Sequence, residues 1–330
     1  MSCRVTDNLQ CYLHEARLPD MHYSPAVANK MEPLSTGLDV HPRRYRRLEV
    51  VHVIDTQLLY DMILDWTQNY IPSTSISVDD EDEKTGERFT VPCKPRFSVP
   101  SLPLGRVNDI DRVSLCMDNF PLESVQRTMH LLYPDYRSWR FAFCDESSAE
   151  PYFRRFSWSQ LGCTESGKRK QVNQMLTMLL FSPWTLSEEE LQNFIRPQIF
   201  KQRQRTRVPE LRSECFPFVR QEWLWSKVWD VCFSNGCRWF VVSTYTHWVF
   251  GVFSTEWMEV FVSPLYKHDS CSPTILEVLG FWVVSAMECE GGWVPPEGRN
   301  GHEFNMQHLS ATVMDISVDI LKALRVANYE

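Results

Sequence analysis

Apolar residues recur every three or four positions in several stretches of the chain, which is the spacing of one buried face of an α-helix. This spacing predicts seven helices, over residues 55–71, 122–133, 168–181, 187–195, 218–233, 272–287 and 310–327. Asp55, Ser187 and Ser272 stand at the start of three of them, where such residues act as N-caps. Glu190 follows Ser187 by three positions, which is the sequence of a capping box.

Runs rich in β-branched and aromatic residues lie between these helices and predict strands. The predicted strands cover residues 109–117, 138–147, 151–158, 238–244, 247–253 and 258–263. Short polar turns separate the last three, which are apolar on both faces, so a buried antiparallel meander is expected. This mixture of elements predicts an α+β fold, with mixed helices around a small, mainly antiparallel sheet.

The remaining segments indicate the domain organisation. Residues 1–47 hold few periodic apolar positions, end in the basic run HPRRYRR, and predict a poorly ordered or loosely docked N-terminal arm. Residues 48–330 form a single predicted domain. Inside it, residues 72–88 contain five consecutive acids, Asp79 to Glu83, whose mutual repulsion predicts a mobile loop.

Composition and charge narrow the classes of function. The 330 residues carry a net charge of −8, which argues against bulk attraction to nucleic acid or to an anionic membrane. No run of apolar residues is long enough to span a bilayer, and the N-terminus does not resemble a signal peptide. The 11 cysteines are scattered singly, as expected of reduced residues in an intracellular protein, either cytoplasmic or nuclear.

One stretch has most of the pattern of a nucleotide-binding loop. GCTESGKR supplies Gly162, Gly167 and Lys168 at the P-loop spacing and precedes a predicted helix. Arg169 stands where a Ser or Thr hydroxyl would bind magnesium. A solvent-exposed turn is therefore the favoured interpretation of this segment. Nucleotide binding is the third hypothesis for the function of the protein.

A second candidate is the basic run made of Lys201, Arg203, Arg205 and Arg207. These side chains could contact nucleic-acid phosphate, but an internal ion pairing with the acidic loop is an equal alternative. The cysteines and histidines show no zinc-binding spacing, and no histidine falls in a recognisable catalytic frame. His247, at the start of a predicted strand, is interpreted as a turn or packed residue.

The C-terminal half resembles a known group of proteins. The run CRWFVVSTYTHWVFGVFSTEWMEVFVSPLY followed by SPTILEVLGFWVVSAM is similar to an uncharacterised, lineage-expanded group from mushroom-forming fungi. Some related fungal groups look like restriction-endonuclease-like proteins of the PD-(D/E)XK type. That resemblance implies a core of helix, three strands, helix and strand, with carboxylates that bind Mg²⁺ or Mn²⁺ and activate water.

Carried onto this chain, the resemblance implies a metal site of Asp109, Asp111 and Glu210, and catalysis by Asp111, Glu210 and Arg212. Arg212 stands where the family motif has lysine, so the implied core is degenerate. The leading hypothesis is a binding or interaction module with a protein partner, without catalysis, cofactor or membrane contact. A divalent-metal-dependent nuclease is the alternative.

Overall fold

The computed structural model describes residues 8–24, 48–74, 81–93, 97, 99, 105–144, 153–163, 169–199 and 220–296. Within these residues a mixed β-sheet lies between two layers of helices. Its strands are β1 (Val50–Val53), β2 (Trp139–Phe143), β3 (Phe153–Cys163), β4 (Arg169–Phe181), β5 (Gln198–Ile199), β6 (Trp239–Ser243), β7 (His247–Phe253), β8 (Glu259–Val262) and β9 (Tyr266–Lys267).

The helices of the described residues are α1 (Leu9–Glu15), α2 (Thr56–Asn69), α3 (Ile110–Met117), α4 (Glu123–Leu132), α5 (Glu188–Phe194), α6 (Arg220–Ser234) and α7 (Ile275–Ala286). A π-helical turn over Asp118–Leu122 joins α3 to α4, and a 3₁₀ turn covers Pro134–Tyr136. Among these helices, none has the length and apolar character needed to cross a bilayer. The predicted helix over residues 310–327 lies outside the described residues.

The strand order across the sheet is β2-β3-β4-β6-β7-β8-β1-β5, and β9 pairs with β7. The pairs β4–β6 and β1–β8 are parallel, while the other neighbours run antiparallel. The combination of helices and strands predicted from the sequence is confirmed. The prediction of a small sheet is wrong, because nine strands of the described residues join into one mixed sheet.

The sheet buries side chains on both faces. On β6, Trp239 and Val241 join one core, while Phe240 and Val242 join the other. Helices α1, α2, α3, α4 and α7 contribute to the first core, and α5 and α6 contribute to the second. The meander β6-β7-β8 is therefore buried on both sides, as predicted from its apolar residues.

Two elements differ from the type predicted. The chain over Arg169–Phe181 is β4 and not a helix. Leu176, Met178 and Leu180 join one core while Leu179 and Phe181 join the other, so the second half of the strand, from Met175, is almost continuously apolar and also satisfies a helical pattern. Conversely, the predicted strand 109–117 is α3, which begins at the N-cap Asp109.

Local capping confirms most of the other helices. Asp55 caps α2, and Ser187 forms a capping box with Glu190 at α5. The N-cap of α7 is Thr274, in a capping box with Glu277, so the assignment of Ser272 as N-cap is wrong by two residues. Gly236, which follows α6, has a φ of 62° and permits the left-handed turn expected there.

Residues 8–24 are docked on the domain. Leu9, Tyr12 and Leu13 of α1 are buried in the first core, and the Tyr12 hydroxyl donates a hydrogen bond to the Val91 carbonyl at 2.9 Å. The Thr274 hydroxyl donates to the Leu13 carbonyl at 2.6 Å, which joins α1 to α7. Residues 8–24 of the predicted arm thus pack against the domain, whereas residues 1–7 and 25–47 lie outside the described residues.

The acidic segment also has defined contacts where the structure describes it. Asp82 accepts hydrogen bonds from the backbone N–H groups of Lys84 and Thr85 and pairs with Arg127 of α4 at 3.0 Å. Hydrogen bonds from Thr85, Lys84 and Arg127 hold the pKa of Asp82 well below its ordinary value. Residues 81–88 are therefore anchored and not a free loop, whereas residues 75–80 lie outside the described residues.

We predict that a side chain at Gly251 of β7 destabilises the protein. An ideal Cβ there would lie 2.1 Å from Cζ of Phe240, a fully buried ring on the neighbouring strand. The substitution G251A should lower the free energy of unfolding by about 1–3 kcal/mol, measured by urea denaturation. The matched change G105A, at an exposed glycine near a flexible Arg112 side chain, should have little effect.

A double variant tests the cause of that loss. The substitution F240L removes the ring atoms that the new methyl group would meet, so F240L and G251A together should cost less than the sum of the two single changes. Strict additivity would contradict the assignment of the loss to this contact.

Candidate functional site

A pocket of about 570 Å³ lies at one end of the sheet. Strands β4 and β6 are parallel, so their carboxyl ends finish at the same end, where β7 begins. The crevice outside the carboxyl ends of parallel strands is a frequent ligand site in open sheets, and this volume is typical of ligand pockets. The pocket is lined by Tyr23, Pro183, Trp184, Leu186, Glu188, Thr246, His247, Lys267, His268 and Asp269.

Glu188 connects two basic side chains of this pocket. One carboxylate oxygen lies 3.2 Å from Nε2 of His247, and the other lies 3.2 Å from Nζ of Lys267. The capping box places Glu188 in the first turn of α5, and the β7–β9 pairing sets His247 opposite Lys267. The hydrogen bond from Lys267, followed by the charge of His247, lowers the pKa of Glu188.

His247 is held at both ring nitrogens. Its Nδ1 lies 3.1 Å from the Thr246 hydroxyl, while Nε2 faces Glu188. Burial lowers the pKa of His247, although the neighbouring Glu188 opposes this shift. In the neutral form, an Nε2–H that donates to Glu188 leaves Nδ1 to accept from the Thr246 hydroxyl, so both nitrogens have partners inside the protein.

A second histidine attaches the N-terminal segment to the pocket. Nε2 of His268 lies 2.7 Å from the Asp20 carboxylate, and the Tyr245 hydroxyl donates to the Pro19 carbonyl at 3.0 Å. These contacts hold Tyr23 as one wall of the pocket. Burial raises the pKa of Tyr23 to about 12, so its phenol is uncharged at neutral pH.

The pocket has an apolar wall and a charged rim. Tyr23, Pro183, Trp184 and Leu186 form the wall. At the rim, the exposed carboxylate of Glu188 pairs with the ammonium group of Lys267, Asp269 is exposed, and the exposed carboxylate of Asp20 pairs with the lining residue His268. This arrangement can hold an apolar group next to a positive charge.

The carboxylates assigned to a metal from the sequence lie elsewhere. Asp109 caps α3 by accepting from the Arg112 N–H at 2.8 Å. Asp111 pairs with Nε of Arg154 at 2.7 Å, and its side chain is 71% exposed. Within the described ranges, no group of three or more His, Cys, Asp or Glu residues is arranged to hold a metal ion. Glu210 and Arg212 lie outside those ranges.

The P-loop interpretation loses the helix on which it depends. Gly162 lies on β3 and pairs with Lys170 of β4, so the chain here forms two antiparallel strands. A phosphate-binding loop needs a helix N-terminus after the glycines, and the chain enters a strand instead. Gly167 and Lys168 lie outside the described residues, as do the basic residues Lys201, Arg203, Arg205 and Arg207.

Sequence patterns did not identify the residues of this pocket. The local sequence indicates a turn or packed residue at His247 and only a helix start at Glu188. These two residues are 59 positions apart, and Asp20 and His268 are 248 positions apart. The polar triplet Thr244, Thr246 and His247 at the start of an otherwise apolar strand is the one local signal for the site.

We predict that His247 makes the stability of the fold depend on pH. Because its pKa in the folded protein lies below the ordinary value of 6.5, the unfolded chain binds a proton more readily. Its stabilising contribution is present above 6.5 and is lost as pH falls through the folded pKa. As pH is lowered from about 8 to about 5, the urea midpoint should decrease more steeply for the wild type than for H247Q. Equal slopes would contradict this role.

Comparisons with protein-family models, curated proteins and solved structures give no match to this chain. The resemblance of the C-terminal half to fungal proteins therefore stays a prediction. The pocket beside His247 combines apolar and charged side chains and is therefore the candidate site for a ligand.

Proposed function

We propose that this protein is a protein-interaction module that binds a segment of a partner in the pocket between Trp184 and His268. The segment carries an apolar side chain next to an arginine or lysine. The observation that supports this proposal is the position of two exposed carboxylates, Glu188 and Asp269, beside one apolar wall, with a third, Asp20, on the lining residue His268. No catalytic step is part of the proposal.

The apolar wall favours an inserted side chain of the partner. Trp184 and Tyr23 remain partly exposed, while Leu186 closes the base of the pocket. Aromatic and aliphatic anchors that fill such pockets supply most of the affinity of peptide and protein contacts. A single large side chain from the partner would cover the exposed parts of these rings.

The charges of the rim favour a cation beside that anchor. Arginine presents a planar group that binds carboxylates in a bidentate manner, and Glu188, Asp269 and Asp20 are all accessible to it. Lys267 neutralises Glu188 without a ligand, but its side chain is 57% exposed and can swing away. The net charge of −8 also favours approach of a basic partner.

The bonding of His247 argues for binding and not for catalysis. A general base needs a free nitrogen that faces the substrate, whereas both nitrogens of His247 face groups of the protein itself. The Thr246 hydroxyl is also within 3.0 Å of the Thr244 hydroxyl, so it is part of an internal network.

The restriction-endonuclease-like core remains a proposal about the fold of the C-terminal half. In its favour stands the order α6 then β6, which is the helix and strand that the resemblance implies at the end of that core. Metal-dependent cleavage has less support, because Asp109 and Asp111 are engaged at the start of α3. An intracellular location is proposed on the free thiols of the described cysteines.

We predict opposite effects of two substitutions on peptide binding. Fluorescein-labelled octapeptides with Arg-Leu or Arg-Phe at the centre should bind, measured by fluorescence anisotropy. The change E188Q removes a carboxylate and should weaken binding by about tenfold. The change K267Q removes a competing cation and frees Glu188, so it should strengthen binding by about two- to fivefold.

Matched peptides and variants control this experiment. Octapeptides with Glu-Leu or Glu-Phe should not bind, and W184A should weaken all binding because it removes part of the apolar wall. The change E189Q alters an exposed acid next to the pocket that does not line it, and should leave affinity unchanged. Preference for acidic peptides, with binding lost in K267Q, would overturn the proposal.

A further inference from the structure

A second cavity, of about 290 Å³, lies where β6 begins. The peptide pocket lies where β6 ends, so the two cavities are at opposite ends of this strand. Arg238, Trp239 and Thr255 contribute the part of the lining that belongs to the sheet and its turns, and the chain from Ser285 to Pro296 contributes the other part. Ligand pockets start at about 300 Å³, so an occupant of this cavity has to be small.

Indole and proline rings form the apolar part of the cavity. The rings of Trp239 and Trp293 are 6.0 Å apart between centroids, at an angle of 86°. Trp293 also packs on Trp282, 5.8 Å away, so its ring is held against the first core. Pro295 and Pro296 line the cavity beside it. The cavity therefore offers aromatic and aliphatic surface to an apolar group of a ligand.

Helix α7 fixes the segment that carries Trp293. The Ser285 hydroxyl accepts a hydrogen bond from the Trp293 N–H at 2.9 Å and donates to the Phe281 carbonyl at 2.7 Å. A Cβ at Gly292 would lie 2.9 Å from Cα of Ser285, so the absence of a side chain permits this close approach. The cavity is thus formed before a ligand arrives, which reduces the entropy cost of binding.

Two side chains of the lining are charged, and their charges are opposite. Arg238 donates to the Phe253 carbonyl at 3.4 Å, and in the described part of the chain its guanidinium makes no other hydrogen bond. The Glu288 carboxylate is exposed and makes no ion pair with any described residue, Arg238 included. Burial raises the pKa of Cys289, so this thiol of the lining is uncharged at neutral pH.

Opposite charges that share a small cavity without pairing match a ligand that carries both charges. A guanidinium binds a carboxylate through two parallel hydrogen bonds. Glu288 follows Met287, the C-cap of α7, and the carbonyl groups at a helix C-terminus add negative partial charge that attracts an ammonium group. A free α-amino acid carries the carboxylate, the ammonium group and one side chain on a single carbon atom, and is small enough for the cavity.

We propose that this cavity binds a free α-amino acid with an aromatic or large aliphatic side chain. Arg238 binds the carboxylate, Glu288 binds the ammonium group, and Trp239 and Trp293 contact the side chain. The site is separate from the peptide pocket, so either site can bind its ligand without the other.

Isothermal titration calorimetry of the full chain with L-phenylalanine tests this site. The amino acid should bind saturably, with a Kd below about 1 mM. The analogue 2-phenylethylamine lacks the carboxylate, and 3-phenylpropionate lacks the ammonium group. Each analogue should bind at least about tenfold more weakly, because one charge of the cavity is then left without a partner.

Two substitutions assign the two charges. R238Q should abolish the preference for L-phenylalanine over 2-phenylethylamine, and E288Q should abolish the preference over 3-phenylpropionate. Glu288 is exposed and has no ion pair among the described residues, so E288Q should keep the unfolding midpoint of the wild type even if R238Q does not. E290Q changes an exposed acid that does not line the cavity, and should leave the Kd unchanged.

Three results would overturn the proposal. The first is the absence of saturable binding of L-phenylalanine to the wild type. The second is equal affinity for the amino acid and its two analogues. The third is a set of preferences that neither R238Q nor E288Q changes, since the two charges would then not contact the ligand.

Discussion

The central strands of the sheet bury side chains on both faces, and this burial dictates how the helices pack. Along β6 and β7, successive side chains enter two separate cores. Gly251 of β7 has no side chain, which leaves space for the ring of Phe240 on β6. Neither face can be exposed to water without losing this burial. Helices must therefore cover both faces, which brings α1 and α7 together on one side.

The central faces of the sheet are used for folding, and the pocket and the Gln126–His130 contacts lie at an end and at an edge of it. Parallel β4 and β6 end together, and the loops beyond them bring Glu188, His247 and Lys267 into one pocket. At the β2 edge, Gln126 and His130 contact backbone groups that no other strand of the described residues uses. Both places carry side chains whose hydrogen bonds depend on a single carboxylate, Glu188 in the pocket and Glu87 at the edge.

Most elements could be predicted because their signals are local. The N-cap Asp55, the capping box of Ser187 and Glu190, and the apolar alternation of β6 to β8 each lie within a few residues. The type of β4 could not be predicted, because a strand buried on both faces has the same apolar content as a helix. Its neighbours β3 and β6 determine its type, and they lie elsewhere in the sequence.

Local patterns predict most of the helices, the three buried strands of the C-terminal half and the helix that packs on them, but not the types of α3 and β4. The net charge of −8 also argues against bulk electrostatic binding to nucleic acid. The contacts between polar residues that lie far apart in the chain follow from the fold. Glu188 with His247, Asp20 with His268, and Glu87 with His130 are 59, 248 and 43 positions apart. Local patterns report burial and capping within one element, whereas these contacts follow from strand order and from the packing of helices across the sheet.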